Sequence, residues 1–411
     1  MQVVLRWLSE REGAVLLLIL AGGVIFRLAA VAAFSHVPES DELAYRAMAL
    51  NFLAGNGIVD QMGNRAMYNV GYPLFVLTPG FLLSPDNLYV VRALNVFLGA
   101  VAIILCHRVA RELGAGVVGR LLAATFWSFY LPAAVYVVYL AKENLMIPLV
   151  LGVAYYALRL LKAPSRASAV GCGTCLGLLA LTGNAALSLV AMVAFALFFA
   201  GGSKGGRAKL AMLVLVPAIV VPAPWVIRNA MVLGAPVLNT NGGFNLYLGN
   251  NPSATGMFVS IGDTPRGADW QELRQQGEIY ASSVLRKEAI EWIVDNPMQF
   301  ASLSGRKLVY FWTPPLHQGS GEKSMIELVV RMFWAFQFVL IAVAALATLF
   351  CQRRRSERGI WMLWLGVVSY SAVHMLFYVI FRYREPIMPI LCILAAMAID
   401  NMLFKNNNID V

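Results

Sequence analysis

Charged residues are scarce in this chain of 411 residues, where Asp, Glu, Lys and Arg together make up only 13%. Soluble domains carry roughly a quarter charged residues. Hydrophobic residues make up 59% of the sequence, and the mean hydropathy is +0.69. This composition excludes an ordinary soluble domain and predicts a polytopic membrane protein. The number of domains in such a protein cannot be estimated by dividing the chain length by a typical domain size.

Cysteine is also scarce, and none of it lies where a disulfide would form. All five cysteines fall within predicted spans or at their cytoplasmic ends: Cys106, Cys172, Cys175, Cys351 and Cys392. We therefore expect no disulfides. Cys172 and Cys175 form a C-x-x-C pattern in an apolar run, which packing of small residues in a helix explains better than redox or metal chemistry.

Common metal and nucleotide motifs are missing as well. The four histidines, His36, His107, His317 and His374, are scattered, and no H-E-x-x-H pattern occurs, which argues against a dedicated zinc hydrolase site. His317 could still join a metal site with a glutamate that follows the first span. The sequence has no P-loop, because nothing places GNNPSATG between a strand and a helix.

About ten apolar segments are long enough to cross a bilayer, which takes about 20 residues. The predicted spans are 13–34, 88–107, 117–138, 143–161, 167–183, 185–201, 209–227, 325–351, 360–380 and 386–404. The stretch 72–83 is short and broken by prolines, so it is predicted to be interfacial or re-entrant. The fold class is therefore an all-α polytopic helical bundle with a mixed extracytoplasmic loop region.

The net charge of +10 sets the orientation of this bundle and does not indicate a nucleic-acid partner, because the basic residues form no long patch interleaved with aromatics. They fall in short loops on one side, which is then cytoplasmic and holds both termini. The other side receives four polar clusters: the first outer loop (35–87), Lys142–Glu143, the long outer loop (228–324) and Arg382–Glu385.

The loops divide the chain into three regions, namely an N-terminal transmembrane module (1–227), the long outer loop (228–324) and C-terminal transmembrane helices (325–411). Within the long outer loop, residues 238–256 are rich in Asn and Gly and predict turns and irregular structure. Residues 270–294 have helical periodicity. Residues 297–315 are amphipathic and aromatic, which is typical of a helix on the bilayer surface.

Two adjacent carboxylates, Asp41 and Glu42, follow the end of the first span. Ionisable groups at a membrane boundary are costly to desolvate and are often functional. They could also simply open a helix, with Ser40 as the N-cap and the acids opposing the helix dipole. Both interpretations can hold at once, because a helix start would hold a catalytic carboxylate rigidly.

Further charges could reach the same face. Glu143, next to Lys142, is either an ordinary interfacial residue or an acceptor or metal contact. Arg382 and Arg384 precede a proline-broken helix start and could bind a phosphate through bidentate hydrogen bonds, or anchor the chain at the interface. Arg27, inside the first span, is another phosphate candidate, with snorkelling to the interface as its alternative.

Taken in order, these segments resemble those of the GT-C glycosyltransferases, specifically the protein O-mannosyltransferase and aminoarabinose-transferase-like group (glycosyltransferase family 39-like). The matching segments are SDELAYRAMALNFLAGNG with YNVGYP, AKENL, the long-outer-loop motifs NTNGGFNLYLGNNPSATG, NPMQF and KLVYFWTPP, and RYREPIMP. The ordered set covers most of the chain. On this resemblance the chain is expected to lack the extended C-terminal soluble domain of larger relatives, and it carries Asp-Glu where oligosaccharyltransferases have D-x-D-like acids. No cofactor is therefore assigned, and a divalent metal is left open.

The resemblance implies an inverting glycosyltransferase that moves a sugar from a polyprenyl-phosphate donor to an acceptor hydroxyl on the outer side of a bacterial inner membrane. Asp41 would be the general base, with Glu42 and Glu143 positioning the acceptor or tuning Asp41. The donor phosphate would meet Arg382, Arg384, Arg27 and Lys142. Candidate sugar contacts are Tyr45, Asn69, Tyr72 and Tyr383. The acceptor could be a lipid, a glycan or a protein.

Three other functions compete with this one. A lipid-linked-sugar flippase or transporter would place its acids near the membrane midplane, whereas this chain places them at the outer rim. An oligosaccharyltransferase that moves whole glycans would depend strictly on manganese or magnesium. An accessory subunit without activity would not need the intact DE and RYR clusters.

Overall fold

The computed structural model describes residues 2–314, 325–350 and 357–403. Within these ranges the chain folds into nineteen α-helices joined by turns and short 3₁₀ or π segments, and no β-strand is present there. The all-α architecture that the composition predicts is therefore confirmed. The predictions for His317 and Cys351 lie outside the described residues.

The helices of the first half alternate between long apolar elements and short connecting ones. In chain order they are α1 Gln2–Glu10, α2 Glu12–Ala33, α3 Asp41–Leu53, α4 Thr78–Leu83, α5 Leu88–Leu113, α6 Val117–Ser128, α7 Leu131–Val135, α8 Glu143–Lys162, α9 Arg166–Thr182, α10 Val190–Phe199, α11 Lys204–Val220 and α12 Ala223–Leu233. A π-helical segment, Pro73–Leu77, precedes α4, so the stretch 72–83 is a short helical element; its interfacial or re-entrant placement stays a prediction.

The second half begins with the helices of the long outer loop and ends with three long helices. They are α13 Asn241–Gly249, α14 Trp270–Gln275, α15 Glu278–Asp295, α16 Pro297–Trp312, α17 Met325–Leu346, α18 Glu357–His374 and α19 Met388–Leu403. A 3₁₀ segment, Phe381–Ile387, leads into α19.

Five of the described helices are long and apolar enough to cross a bilayer, or up to seven spans if each of two bent helix pairs counts as one. The bent pairs are 117–138, with an angle of 55°, and 204–233, with an angle of 42°. Three shorter apolar helices, Pro73–Leu83, Arg166–Thr182 and Asn184–Phe199, add to the bundle. The chain is an integral membrane protein, and the number of about ten spans stays a prediction.

Helix α19 lies at the centre of the bundle and positions the segment before it. Residues 390–398 are at most 1% exposed, and the helix packs against α5, α6 and α17. A helix that is apolar on all sides is stable only when it is surrounded. The segment Phe381–Ile387, which carries Arg382, is thereby fixed at one end of the bundle.

The opposite end of the bundle is held by a separate polar network. Glu12 at the start of α2 lies 2.7 Å from His107 Nε2 and 3.3 Å from Arg120 Nη1. Asp400, near the end of α19, accepts hydrogen bonds from the amides of Gly116 and Gly119 at 2.9 and 3.1 Å. The two ends of the bundle are thus marked by different sets of ionisable side chains.

The C-x-x-C segment packs as an ordinary part of helix α9. Cys172 is buried, and a Cβ at Gly152 of α8 would come within 2.8 Å of Cys175 Sγ. The two helices therefore approach closely at small residues, which is common in membrane bundles.

Two expectations for the long outer loop are wrong. Residues 241–249 form helix α13, where the Asn- and Gly-rich composition predicted irregular structure; Tyr247 and Leu248 are buried in a cluster with Leu273 and Leu285, and this packing outweighs the poor helix propensity. The predicted helix 270–294 is two helices, because Gly277 adopts a φ of 102° between α14 and α15.

Candidate active site at one end of the bundle

Asp41 is the first residue of helix α3 and is held by an arginine from the far end of the chain. Its carboxylate accepts a hydrogen bond from Arg382 Nη2, 341 residues away in sequence. A carboxylate at a helix N-terminus is favoured by the helix dipole. Ser40 occupies the N-cap position as predicted, but it has a φ of 50° and makes no side-chain cap hydrogen bond.

Arg382 joins Asp41 to a second carboxylate. Glu143, the first residue of α8, places Oε1 at 3.9 Å from Arg382 Nε. The side chains of Asp41 and Arg382 are 27% and 25% exposed, whereas that of Glu143 is 2% exposed. Arg382 Nε is buried and has no hydrogen-bond partner among the described residues. The Arg382 guanidinium thus forms ion pairs with both Asp41 and Glu143, while its Nε–H makes no hydrogen bond among the described residues.

A cavity of about 250 Å³ lies beside the group formed by Asp41, Arg382 and Glu143. Glu143 lines this cavity, and so does Tyr383, which follows Arg382 in the chain. Four predicted site residues line it, namely Asn69, Lys142, Glu143 and Tyr383. The sequence analysis missed the rest of its polar lining: Asn184, Asn239, Asn241, Asn245, Tyr370, His374 and Tyr378. The sequence signal for Asn239, Asn241 and Asn245 is the density of Asn in the NTNGGFN motif. By composition alone this motif predicts turns, not a cavity lining.

Glu278 ties the first outer loop to the long outer loop and so sets the relative position of two cavity walls. Its Oε2 accepts hydrogen bonds from the amide of Ala66 at 3.1 Å and from Thr240 Oγ1 at 2.8 Å. The amide of Thr240 in turn donates to the carbonyl of Ala66 at 2.9 Å. Asn69 and Asn239, which follow and precede these anchor points, are thereby brought together.

Glu42 does not line the cavity; it links the segments that carry the site residues. It is 4% exposed, and its carboxylate accepts a hydrogen bond from the amide of Leu140 at 2.6 Å and pairs with His36. These contacts fix the chain before α3 to the residues before α8. Glu42 therefore positions Asp41 relative to Glu143.

Arg384 and Arg27 make structural contacts away from the cavity. Arg384 is fully buried and donates from Nη1 to the carbonyls of Phe311 and Thr313 at 2.9 and 2.8 Å. Arg27 is also fully buried and donates to the carbonyls of Ser128 and Trp127 at 2.9 and 3.2 Å. Neither residue is among those that line the cavity. Arg384 Nε, Arg384 Nη2 and Arg27 Nε have no hydrogen-bond partner among the described residues, so contact of these two residues with a donor phosphate stays a prediction.

The predicted sugar contacts Tyr45 and Tyr72 form a buried aromatic layer under Asp41. The Tyr45 ring lies 6.0 Å from the Tyr72 ring, and Tyr72 Oη donates to Asn95 Oδ1 at 3.0 Å. Burial, followed by the negative charge of Asp41, raises the pKa of Tyr45. Both phenols therefore stay protonated and act as packing groups, outside the lining of the cavity.

The carboxylates of the site do not form a good metal-binding set. In the described part of the chain, no three His, Cys, Asp or Glu side chains lie close enough together to hold a metal ion. Asp41 and Glu143 are bridged by Arg382, and a guanidinium between two carboxylates occupies the position that a divalent cation would need.

No protein-family model and no curated protein matches the chain, but several solved structures do. One is the oligosaccharyltransferase AglB from Archaeoglobus fulgidus in complex with an inhibitory peptide and a dolichol-phosphate, with 13% identity and a TM-score of 0.58 over 97% of this chain. Another is the A. fulgidus enzyme tethered to an acceptor peptide, with 12% identity, a TM-score of 0.59 and 97% of this chain covered.

The match extends over only part of the archaeal protein. The chain spans about half of its length, 51% and 50% in the two structures. A weaker likeness, with 14% identity and a TM-score of 0.46 over 93% of this chain and 77% of the other, is to ArnT from Cupriavidus metallidurans bound to undecaprenyl phosphate. The two matches to the archaeal enzyme show that the chain shares the fold of its matched half.

Proposed function

We propose that the protein is an inverting glycosyltransferase that moves a sugar from a polyprenyl-phosphate donor to an acceptor hydroxyl at the extracytoplasmic face of a bacterial inner membrane. The observation that carries this proposal is the shared guanidinium of Arg382 between Asp41 and Glu143, beside a cavity. Acidic and cationic groups that meet at the end of a transmembrane bundle suit a ligand with an anionic head and an apolar tail.

The fold supports a lipid-linked donor. The archaeal oligosaccharyltransferase, which has the same fold, was solved with a dolichol-phosphate. A polyprenyl chain can stay in the hydrocarbon while its phosphate reaches the bundle end, where Arg382 Nε has a free donor and Lys142 lines the cavity. We assign these two residues to the donor phosphate.

Asp41 acts as the general base in this scheme. The acceptor hydroxyl gives its proton to the Asp41 carboxylate while its oxygen forms a bond to the anomeric carbon from the face opposite the phosphate. The bond from the anomeric carbon to the phosphate oxygen breaks, and the electron pair leaves with the polyprenyl phosphate. Arg382 and Lys142 stabilise this developing negative charge.

The ion pair between Asp41 and Arg382 couples this chemistry to donor binding. The Arg382 guanidinium donates a hydrogen bond to the Asp41 carboxylate. A donor phosphate competes with the carboxylate for the same guanidinium. When Arg382 turns to the phosphate, the Asp41 carboxylate is released and can accept a hydrogen bond from the acceptor hydroxyl, so proton abstraction is promoted only when a donor is present.

The decisive experiment is transfer from a polyprenyl-phosphate sugar by the purified protein in lipid nanodiscs, with Asp41→Asn as the test variant. We expect kcat to fall by about 10²–10⁴-fold, the usual contribution of a general base. The matched control is Asp86→Asn, which removes an exposed carboxylate of the first outer loop that pairs with Arg46 and should leave kcat unchanged.

Two outcomes would reject the proposal. Full activity of Asp41→Asn would remove this residue from the role of base. Translocation of the lipid-linked sugar across proteoliposomes without any transfer would instead identify a flippase. Strict dependence of transfer on manganese or magnesium would favour an oligosaccharyltransferase-like mechanism. The position of Arg382 between the Asp41 and Glu143 carboxylates argues against such a mechanism.

A further inference from the structure

The cavity is lined by side-chain amides to an unusual degree. Five of its lining residues are asparagines, Asn69, Asn184, Asn239, Asn241 and Asn245. Asn69 Nδ2 donates to Asn184 Oδ1 at 2.8 Å, and Asn239 Nδ2 donates to Asn69 Oδ1 at 3.3 Å. A carboxamide is uncharged and both donates and accepts. Such a lining matches a ligand whose surface consists of hydroxyl groups.

His374 adds a hydrogen-bond acceptor to this lining. Its Nδ1 lies 2.8 Å from the carbonyl oxygen of Tyr370, and because a carbonyl can only accept, Nδ1 must carry a proton. The ring is buried, 6% exposed, and has no carboxylate partner among the described residues, so it is neutral. Nε2 then has a free lone pair and can accept a hydrogen bond from a ligand.

The charges of the cavity are confined to one wall. Lys142 and Glu143 are adjacent at the start of α8, and Glu143 is coupled to Arg382. The other walls carry amide, phenol, imidazole and apolar groups. A carboxylate or ammonium group that points from the ring towards those walls, and so away from Lys142 and Glu143, would be buried without a charged partner, which is strongly unfavourable.

The size of the cavity limits the ligand as well. Its volume of about 250 Å³ lies below the range of roughly 300–1,000 Å³ that is typical of pockets for drug-sized ligands. The cavity therefore suits one sugar ring. Further sugar units of an oligosaccharide would have to lie outside it.

We propose that this cavity selects a single uncharged, hydroxyl-rich sugar ring as the glycosyl group of the donor, with the asparagine lining and His374 Nε2 as the specificity determinants. This inference rests on the proposed function, since it assigns the sugar of the same donor. It places His374 in substrate recognition, at a distance from the proton transfer at Asp41.

The first test compares three donors that share one polyprenyl phosphate and differ in the sugar: an uncharged hexose, a hexuronic acid and an amino sugar. We expect kcat/KM for the hexose to exceed both others by at least about tenfold, because a buried charge without a partner is rejected. Equal or better transfer of either charged sugar would overturn the inference and leave the glycosyltransferase function intact.

The second test concerns His374 itself. His374→Phe keeps a ring and removes the acceptor, so KM for the hexosyl donor should rise about tenfold while kcat changes less than about twofold. His374→Gln restores an acceptor and should recover most of the loss. An unchanged KM in His374→Phe, or an equal loss in both variants, would rule out the acceptor role. Asn184→Leu removes a lining amide elsewhere and should also raise KM, whether or not His374→Phe folds well.

A binding measurement separates this inference from the proposed function. The thermal midpoint of the protein in nanodiscs is measured with each of the three donors. If no donor is transferred but the hexosyl donor alone raises the midpoint, the proposed function fails and the sugar selectivity stands. If the three donors raise the midpoint equally, or none does, the selectivity is wrong whatever the transfer assay shows.

Discussion

At the scale of single residues, the site depends on which of two arginines reaches it. Arg382 and Arg384 are two positions apart on the segment Phe381–Ile387, yet Arg382 pairs with Asp41 and Arg384 is buried against the carbonyls of Phe311 and Thr313. The sequence predicts both as phosphate ligands. It cannot separate them, because tertiary packing decides that Arg384 meets the backbone carbonyls at the end of α16 while Arg382 meets the carboxylates beside the cavity.

Replacing Arg382 by Gln should abolish most of the activity. The variant leaves Asp41 and Glu143 without their shared cation and removes a donor to the leaving phosphate, so kcat/KM should fall by about 10²–10³-fold. The transfer assay in nanodiscs measures this. Arg266→Gln is the matched control, since Arg266 also pairs with two carboxylates, Asp269 and Glu288, and lies in the long outer loop outside the cavity. A similar loss in both variants would contradict a specific role for Arg382.

Lys307 predicts a pH dependence of stability. Burial lowers the pKa of Lys307 from its usual 10.5 to about 8; its Nζ donates to Asn250 Oδ1 at 3.0 Å. The folded protein therefore binds fewer protons than the unfolded chain between pH 8 and 10.5, and the free energy of unfolding should rise with pH across this window, by on the order of 3 kcal/mol.

The check is the thermal midpoint in detergent from pH 7 to 10.5. Lys307→Met should flatten the rise above pH 8, because the methionine side chain fills similar space without a charge. Lys287→Met, at an exposed lysine of α15, should keep the wild-type slope. The same slope in Lys307→Met as in the wild type would show that Lys307 does not titrate in this range.

At the scale of elements, the sequence predicts the positions of the apolar helices well and the structure of the long outer loop less well. Every predicted span overlaps a described helix, since an apolar run in a bilayer has little choice other than a helix. Helix α13 was missed because its sequence, NGGFNLYLG, has weak helix propensity. Its helical form depends on contacts with α15 that are remote in sequence.

The close approach of α13 to α15 gives a test at this scale. A Cβ at Gly243 would come within 1.8 Å of the carbonyl oxygen of Ser282, so Gly243→Ala must push the two helices apart. We expect a loss of about 1–3 kcal/mol of stability and weaker binding of the donor, because α13 carries Asn241 and Asn245 of the cavity lining.

The control for this prediction is Gly305→Ala on α16, where a Cβ would meet nothing within 4 Å. This substitution should be neutral or stabilise the protein by up to about 1 kcal/mol, since alanine favours the helix. The thermal midpoint of Gly243→Ala should therefore be lower than that of the wild type, whereas that of Gly305→Ala should be equal or higher. Equal midpoints for the two variants would contradict the tight contact.

At the scale of the whole molecule, the orientation in the membrane decides whether the site can work as proposed. The basic loops predict that the end with Glu12 and His107 faces the cytoplasm and the end with Asp41 faces outward. Sequence patterns predicted that the four polar clusters share a face, because alternating spans allow only two sides. They could not predict which atoms meet, since side-chain pairing depends on the packing of α19 and the helices around it.

Site-directed labelling tests this orientation. In a chain from which the five cysteines have been removed, Ser283→Cys on α15 should react with a membrane-impermeant maleimide in intact spheroplasts. Ser9→Cys on α1 should react only after permeabilisation. Both serines are exposed. Reaction of the two positions under the same conditions would contradict a site and an N-terminal helix at opposite ends of the bundle.

The contacts of Arg27 have a consequence for how the protein enters the membrane during synthesis. Its partners, the carbonyls of Trp127 and Ser128, are 100 and 101 residues further along the chain and lie where α6 ends before the 55° bend. At roughly 5–20 residues per second, the ribosome adds Trp127 and Ser128 about 5–20 s after it adds Arg27. During that interval an arginine on its own adds a cost of up to roughly 3 kcal/mol to insertion of the nascent helix. Helix α2 is therefore inserted only reversibly until α6 has been synthesised, and early biogenesis depends on retention of α2 by the insertion machinery.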